Sequence, residues 1–269
     1  MIRSKWDQRI QRADELAATN ETATGVLRFY KRLASLQKDL YLFFQAANNC
    51  SANKHVSNLR EAELNLPVLL PKFPDFLIDL KTFATRPFAD AAQDLRDKGE
   101  SGWRDALTSV WQNATDFSPP DADGLLAWIF LQPYAECFAN GVERTPTSAA
   151  APICPFCSAK PVVGVLRPEG DGGKRSLICS LCSTEWPFGR VLCPACGEQS
   201  VEKLAVYTAS QFPHVRVEAC DTCRRYIKTV DLTKNGHAVP IVDELATIPL
   251  NLWAEEHQYT KLQPDLLGI

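Results

Sequence analysis

CPFCSAKPVVGVL (154–166) decides the fold of this chain, because CPACGEQSVEKLAVY (193–207) repeats its pattern. Each stretch opens with a C-P-x-C turn, continues through a short polar segment and ends in a run of residues typical of a strand. Each is followed by a returning strand and a further C-x-x-C pair, in SLICSLC (176–182) and VEACDTC (217–223). The sequence therefore predicts two repeated modules with one metal site in each.

The four C-x-x-C pairs predict two sites of four sulfurs each. One pair directs two sulfurs at one ion from a tight turn, and two pairs complete a tetrahedral set. Successive pairs are separated by 21, 10 and 23 residues. The two long intervals suit ribbons that return to the first turn, so we favour a sequential grouping over an interleaved one. The predicted ligands are Cys154, Cys157, Cys179 and Cys182 in the first site, and Cys193, Cys196, Cys220 and Cys223 in the second.

The chemistry of these sites is structural or electron-transferring, because four thiolates leave no open coordination position for a substrate. Zinc and iron both suit this geometry, so we expect two ions per chain of either metal. Backbone N–H groups near the turns are expected to donate to the thiolates. Gly197 permits positive φ after Cys196, and Ser158 takes the matching place in the first module. We find no catalytic motif and predict that the chain is not an enzyme.

Composition narrows the function classes. The net charge of −3 provides no field that attracts nucleic acid or an anionic membrane. The chain has no apolar run long enough for a membrane helix, and residues 1–20 lack the apolar core of a signal peptide. We therefore expect a cytoplasmic protein, in which clustered cysteines are metal ligands rather than disulfides. The isolated Cys50 and Cys137 are expected to be core thiols.

The predicted fold class is α+β and multidomain: an N-terminal all-α bundle, two tandem rubredoxin-like or zinc-ribbon β modules and a C-terminal helical tail. The division follows the shift from helical periodicity to β-branched runs, with a small-residue and proline stretch between them. The predicted segments are the helical domain 1–140, the linker 141–153, the first ribbon 154–190, the second ribbon 191–241 and the tail 242–269.

Within the bundle, apolar spacing predicts a helix through Trp6 and a long one from Val26 to Ala47. Shorter helices are predicted at 75–85, 88–98 and 102–113, and a last one ends near Asn140. Ser101 is the expected N-cap of the 102–113 helix, and Asp121 or Asp123 that of the last helix. The predicted strands of the modules are Val162–Leu166, Leu177–Cys179, Lys203–Tyr207, Val215–Ala219 and Tyr226–Asp231.

Arginine and aromatic residues near the cysteine turns are candidates for partner binding. Trp186, Arg224, Arg225 and Tyr226 would form an exposed cluster of the kind that interfaces favour. The alternative is that Trp186 and Tyr226 cap the small ribbon cores. Arg175 and Arg190 also lie near the turns, where a solvated basic face is the simpler interpretation. His214 could approach the second site, although four cysteines already complete that site.

The region from about residue 125 to the C-terminus resembles the formate dehydrogenase accessory protein FdhE family. The resemblance combines the four C-x-x-C pairs at these intervals with TEW (184–186), which lies between the second and third pairs, and RRYIK (224–228), which follows the last pair. It rests on CPFCSAKPVVGVL (154–166), LQPYAE (131–136), LICSLCSTEW (177–186), RVLCPACG (190–197), EACDTCRRYIKTVD (218–231) and LNLWAEEHQYTKLQPDLLG (250–268).

This resemblance implies a cytoplasmic protein that matures respiratory formate dehydrogenase. It implies action on the catalytic, molybdenum-containing subunit before Tat-dependent export, and rubredoxin-like metal sites that iron can occupy. Ser158 departs from a CPxCG pattern, which puts the hydrogen bonding of the first site in doubt. Two alternatives remain open from the residues. One is an electron carrier of rubredoxin type, and the other is a zinc-ribbon protein that binds nucleic acid, which the charge disfavours.

Overall fold

The structure is a computed structural model that describes residues 4–47, 59, 62–113, 121–141, 151–169 and 172–265. Helices fill the first half of the chain as predicted, and most of the predicted linker 141–153 lies outside the described residues. The helices are α1 (Lys5–Thr19), α2 (Thr24–Ala46), α3 (Leu66–Leu69), α4 (Phe73–Lys81), α5 (Arg86–Asp97), α6 (Gly99–Asn113) and α7 (Ala122–Gly141).

Capping groups and prolines place the helix starts. The Ser4 hydroxyl accepts the Asp7 N–H at the start of α1, and the Asp121 carboxylate accepts the Gly124 N–H at the start of α7. Asp121 is thus the cap of the last helix, as one of our two expectations had it. The Ser101 cap was wrong, because α6 already begins at Gly99 and continues from α5 after one residue.

Helix α7 is the centre of the helical domain. It is buried continuously from Leu126 to Leu131 and from Pro133 to Ala139, as a helix enclosed by others must be, and its one buried charge, Glu136, is paired with Arg9. Its Phe130 and Tyr134 pack edge-on against Phe44 of α2, and Phe130 also packs against Phe73 of α4. The bundle therefore presents α7 as its core, and the same helix reaches the first cysteine module.

The second half of the chain forms one mixed sheet. All five predicted strands are confirmed, and two short strands are added. The strands are β1 (Pro161–Glu169), β2 (Gly172–Cys179), β3 (Glu185–Pro187), β4 (Leu204–Thr208), β5 (Val215–Cys220), β6 (Arg225–Asp231) and β7 (Thr260–Lys261). Their order is β3-β2-β1-β6-β5-β4, and β7 pairs with β6. Neighbours are antiparallel except at β1–β6 and β6–β7.

The parallel β1–β6 pairing joins the two modules. Gly164 lies opposite Thr229, and a Cβ atom on Gly164 would lie 2.3 Å from the Thr229 hydroxyl oxygen. Only glycine fits there unless the Thr229 side chain or its strand shifts. The sheet therefore runs across the boundary that we predicted between residues 190 and 191. The division into two ribbon domains stays a prediction, since each module keeps its own hairpin within a shared sheet.

Apolar residues cover both faces of this sheet. One cluster unites the helical domain with the first module, through residues such as Phe130, Leu177 and Trp186. The other cluster lies on the opposite face and includes Val163, Val217 and residues of the tail. The tail forms α8 (Pro240–Leu245) and α9 (Ile248–Glu256), which confirms the helical spacing predicted there. In the described part of the chain, every helix is too short or too polar to cross a bilayer.

Buried ion pairs tie the helical domain, the sheet and the tail together. Asp243 of α8 lies 2.6 Å from Arg12 of α1 and 2.8 Å from His214, beside β5. Burial raises the pKa of Asp243, but hydrogen bonds from His214 and Arg12 outweigh it, so that the pKa is lowered overall. Lys228, fully buried, lies 2.8 Å from Glu244. Burial lowers the pKa of Lys228 to about 8.

Candidate metal centres

The structure brings the eight clustered cysteines together in two groups of four. The groups are Cys154, Cys157, Cys179 and Cys182, and Cys193, Cys196, Cys220 and Cys223, with the sulfurs of each group within 4.8 Å of one another. The sequential grouping is thus the one the fold adopts. A metal–sulfur bond of about 2.3 Å places tetrahedral sulfurs about 3.8 Å apart. Two sulfur pairs in the first group are 3.6 and 3.3 Å apart, and two in the second are 3.8 and 3.7 Å apart, which is close to the spacing around one such ion.

All four turns share one backbone conformation. The residue after the second cysteine of each pair has positive φ: 61° at Ser158, 54° at Ser183, 78° at Gly197 and 57° at Arg224. The N–H groups of Ser158 and Gly197 donate to the backbone carbonyl of the first cysteine of their turn, at 2.8 and 3.0 Å. Ser158 therefore preserves the hydrogen bonding of the glycine turn, although a side chain at positive φ costs free energy.

Backbone N–H groups donate to the sulfurs, as we expected. The N–H of Leu181 lies 3.4 Å from Cys179 Sγ, and the N–H of Ala195 lies 3.4 Å from Cys193 Sγ. Thr184 places its hydroxyl 3.0 Å from Cys182 Sγ. Such donors spread the negative charge that four thiolates around one divalent ion create.

The first site lies inside the protein. Its four cysteines are each about 1% exposed and belong to the apolar cluster of the helical domain. The Leu59 N–H donates to the Phe156 carbonyl at 2.7 Å, and Gln132 of α7 donates to the Ser180 carbonyl at 2.7 Å. The helical domain therefore holds both turns of this site directly.

The second site lies at the surface. Cys196 is exposed and Cys223 is partly exposed, whereas Cys193 and Cys220 are buried. In the described part of the chain, none of these four residues belongs to either apolar cluster. The second group is therefore open to solvent on the side of Cys196 and Cys223.

Burial acts on the thiols of both sites and raises the pKa of Cys157 and Cys179 in the first. In the second site burial raises the pKa of Cys193, while the N–H groups of Cys196 and Ala195 act in the opposite direction. Thiols this close together cannot all ionise without a cation between them. Their donor type and spacing fit zinc or ferrous or ferric iron.

The predicted partner-binding cluster divides into buried and exposed parts. Trp186 and Tyr226 are 1% and 2% exposed, so the expectation that they form an exposed surface was wrong. Each ring lies in an apolar cluster, and Trp186 donates to the Ala151 carbonyl at 2.9 Å. Arg224 and Arg225 are exposed. Arg224 also stacks on the Tyr259 ring at 4.0 Å.

Other sequence-based expectations need revision. His214 bonds to Asp243 and is not among the residues that converge on the second site. Arg175 is buried rather than part of a solvated face, while Arg190 is exposed. Cys137 is buried in α7 as expected, but it is disulfide-bonded rather than a free thiol. Cys50 lies outside the described residues.

Sequence reasoning also missed the partner of Arg175. Glu218 of β5 lies 2.6 Å from Arg175 Nη2 and accepts from Arg216 at 2.5 Å. Arg175 and Arg216 hold the pKa of Glu218 below its usual range against the effect of burial. The sequence shows charged residues at 175 and 218 within two strands, but their pairing depends on the order of strands in the sheet.

A helical domain joined to a mixed sheet with two groups of four cysteines defines an α+β protein with two candidate metal sites. Two domain families match its second half. "FdhE, central domain" matches residues 153–190, and "FdhE, C-terminal domain" matches residues 191–267. The chain belongs to the FdhE family.

Individual relatives agree with this assignment. "Protein FdhE homolog" of Aquifex aeolicus (strain VF5) is 34% identical over 140 residues, so that the matched part spans half the length of that relative and 52% of this chain. The homolog of Actinobacillus pleuropneumoniae serotype 3 (strain JL03) is 26% identical over 97% of this chain and 89% of its own length. The crystal structure of the FdhE protein from Pseudomonas aeruginosa has a TM-score of 0.72 at 23% identity, covering 99% of this chain and 97% of that one. This structural likeness establishes the fold across both halves.

Proposed function

We propose that this chain is a formate dehydrogenase accessory protein that acts in the cytoplasm on the catalytic, molybdenum-containing subunit before Tat-dependent export. The observation that carries the proposal is the match of two FdhE domain families along 153–267, the region that contains all eight clustered cysteines. The closed four-thiolate geometry supports a non-catalytic role, since it offers no position at which a substrate could bind the metal.

In this proposal each four-cysteine site holds one ion, iron or zinc, through all four of its thiolates. When bound, the ion cross-links two distant turns, and iron would in addition accept or donate one electron. The chain's own residues fix the geometry: backbone N–H groups orient the sulfurs, and α7 holds the first site through Gln132. Arg224 and Arg225 remain the proposed partner contacts, because both are exposed beside the second site.

The test uses a bacterium that lacks its own FdhE gene and therefore, on this proposal, lacks active respiratory formate dehydrogenase. Expression of this chain should restore formate-dependent dye reduction. The control variant Arg86→Ala should restore it equally, because Arg86 lies on α5, away from both cysteine sites. The catalytic subunit should co-purify with the chain. A soluble, metal-loaded chain that restores no activity and retains no subunit would reject the proposal.

The contact assignment has its own test. Arg225→Ala should weaken co-purification of the catalytic subunit while the chain keeps its fold and metal content. Arg86→Ala is the matched control, since its guanidinium is 93% exposed. Full retention of the subunit by Arg225→Ala would remove Arg225 from the interface and leave the accessory role untouched.

One observation favours a second candidate, electron transfer by iron. Cys196 exposes its side of the second site, and an exposed thiolate edge shortens the path to a redox partner. Iron-loaded protein would then show thiolate-to-iron absorption bands that bleach on reduction and return on oxidation. Two tightly bound zinc ions in native protein prepared without oxygen would rule out this candidate.

A further inference from the structure

A cavity between the two modules is lined by an unusual concentration of arginine. It has a volume of about 60 Å³ and lies against Cys193 and Cys220 of the second site. Its described lining residues include one carboxylate, Glu218, and four guanidinium groups, those of Arg175, Arg190, Arg216 and Arg225. A cavity of this size admits a group of a few heavy atoms, such as a carboxylate.

Arg175 is the buried arginine of the cavity lining. It is 3% exposed, and its Nη atoms are held by the Gly189 carbonyl at 2.7 Å, the Leu192 carbonyl at 3.2 Å and Glu218 at 2.6 Å. Among the described residues, no atom accepts a hydrogen bond from its buried Nε–H. A buried donor without an acceptor is unfavourable, so an anion bound in the adjoining cavity would stabilise this uncompensated N–H electrostatically.

Three further arginines line the cavity. Arg190 is exposed at the mouth of the cavity. Arg225 donates one long bond, at 3.3 Å, to the Lys261 carbonyl. Arg216 is engaged by Glu218 through both Nε and Nη2, so it positions that carboxylate rather than facing a ligand freely.

The charge balance indicates the class of ligand. The guanidinium groups outnumber the carboxylate by three, and a divalent ion with four thiolates carries two negative charges beside them. With zinc bound, about one positive charge would be left without compensation. That excess matches a monoanion better than a dianion, and guanidinium groups bind a carboxylate through planar, paired hydrogen bonds.

We propose that this cavity is a binding site for a single carboxylate group, held by Arg190 and Arg225 next to the buried Arg175. The carboxylate comes either from an acidic side chain of a polypeptide or from a small free carboxylic acid. A carboxylate bound here would lie beside the second metal site, because its buried ligands Cys193 and Cys220 line the same cavity. It does not depend on the proposed accessory role, because the isolated chain is sufficient to test it.

The experiment is NMR on the full, zinc-loaded chain with ¹⁵N-labelled arginine, which reports the Nε–H of each arginine. Sodium acetate is titrated against sodium chloride at equal ionic strength. The Arg175 signal should shift saturably with acetate and not with chloride. Arg190→Gln should weaken acetate binding about tenfold, as loss of one charge-assisted bond predicts. Arg86→Gln, on the exposed face of α5, should leave the affinity unchanged.

Two peptide arms distinguish the sources of the carboxylate. A capped Gly-Glu-Gly peptide that binds at least about tenfold more tightly than acetate, while Gly-Gln-Gly does not bind, identifies an acidic side chain of a polypeptide. Acetate that binds as well as the peptide identifies a small free acid. A shift that grows linearly and equally with both salts would overturn the proposal, and so would an unchanged acetate affinity in Arg190→Gln.

Discussion

The two four-cysteine sites come from one repeated pattern, yet the protein places them in opposite surroundings. The first is enclosed by the apolar cluster of the helical domain, while the second exposes Cys196 and lies outside both clusters of the described residues. The turns themselves are alike in φ and in their backbone hydrogen bonds. The difference therefore arises from what packs around the turns, and it predicts different consequences for the loss of each ion.

The largest difference should appear when one ligand of each site is replaced. Cys179→Ser should release the first ion and lower the free energy of unfolding by about 3–5 kcal/mol, because it leaves charged or unpaired thiols in the core. Cys196→Ser, at the exposed site, should release one ion at a cost below about 2 kcal/mol. Metal analysis and urea unfolding followed by circular dichroism measure both quantities. Equal losses of stability in the two variants would contradict the contrast between core and surface.

A chelator should remove the two ions at different rates. The second site should lose its ion first, at least about tenfold faster than the first, because a chelator can approach Cys196 without any opening of the protein. A coloured chelator would then report two phases of equal amplitude. Cys196→Ser should lack the fast phase and keep the slow one. A single phase of both ions would mean that exposure does not control release.

Gly164→Ala tests whether the two modules depend on the shared sheet. The new Cβ would lie 2.3 Å from the Thr229 hydroxyl oxygen, so we expect a loss of about 1–3 kcal/mol in the free energy of unfolding. Thr229→Ala removes that oxygen, and the double variant should recover part of the loss. A thermal melt that is unchanged in Gly164→Ala would contradict the close approach of β1 and β6.

Features set by neighbouring residues could be predicted from the sequence, whereas contacts between distant segments could not. The strands, the turns and the grouping of cysteines were predictable, because periodicity and C-x-x-C spacing act over a few residues. The parallel pairing of Gly164 with Thr229 was not, because it depends on which strands of separate hairpins meet. Trp186 was placed at the surface for the same reason. Its surroundings come from the helical domain, which no local pattern connects to the residues around 186.

The smallest effect concerns the backbone of the matched turns. Gly197→Ala adds a side chain at φ 78° with open space around it, so strain alone should cost about 1 kcal/mol. Ser158→Gly is the reciprocal change at φ 61° and should stabilise the chain by at most a similar amount, less any contribution that the serine hydroxyl makes. Chemical denaturation of each variant, loaded with the same metal, measures the two differences. Opposite signs would establish that the turns are equivalent in backbone and differ in surroundings alone. A loss of stability above about 2 kcal/mol in Ser158→Gly would instead show that the first site depends on that serine side chain.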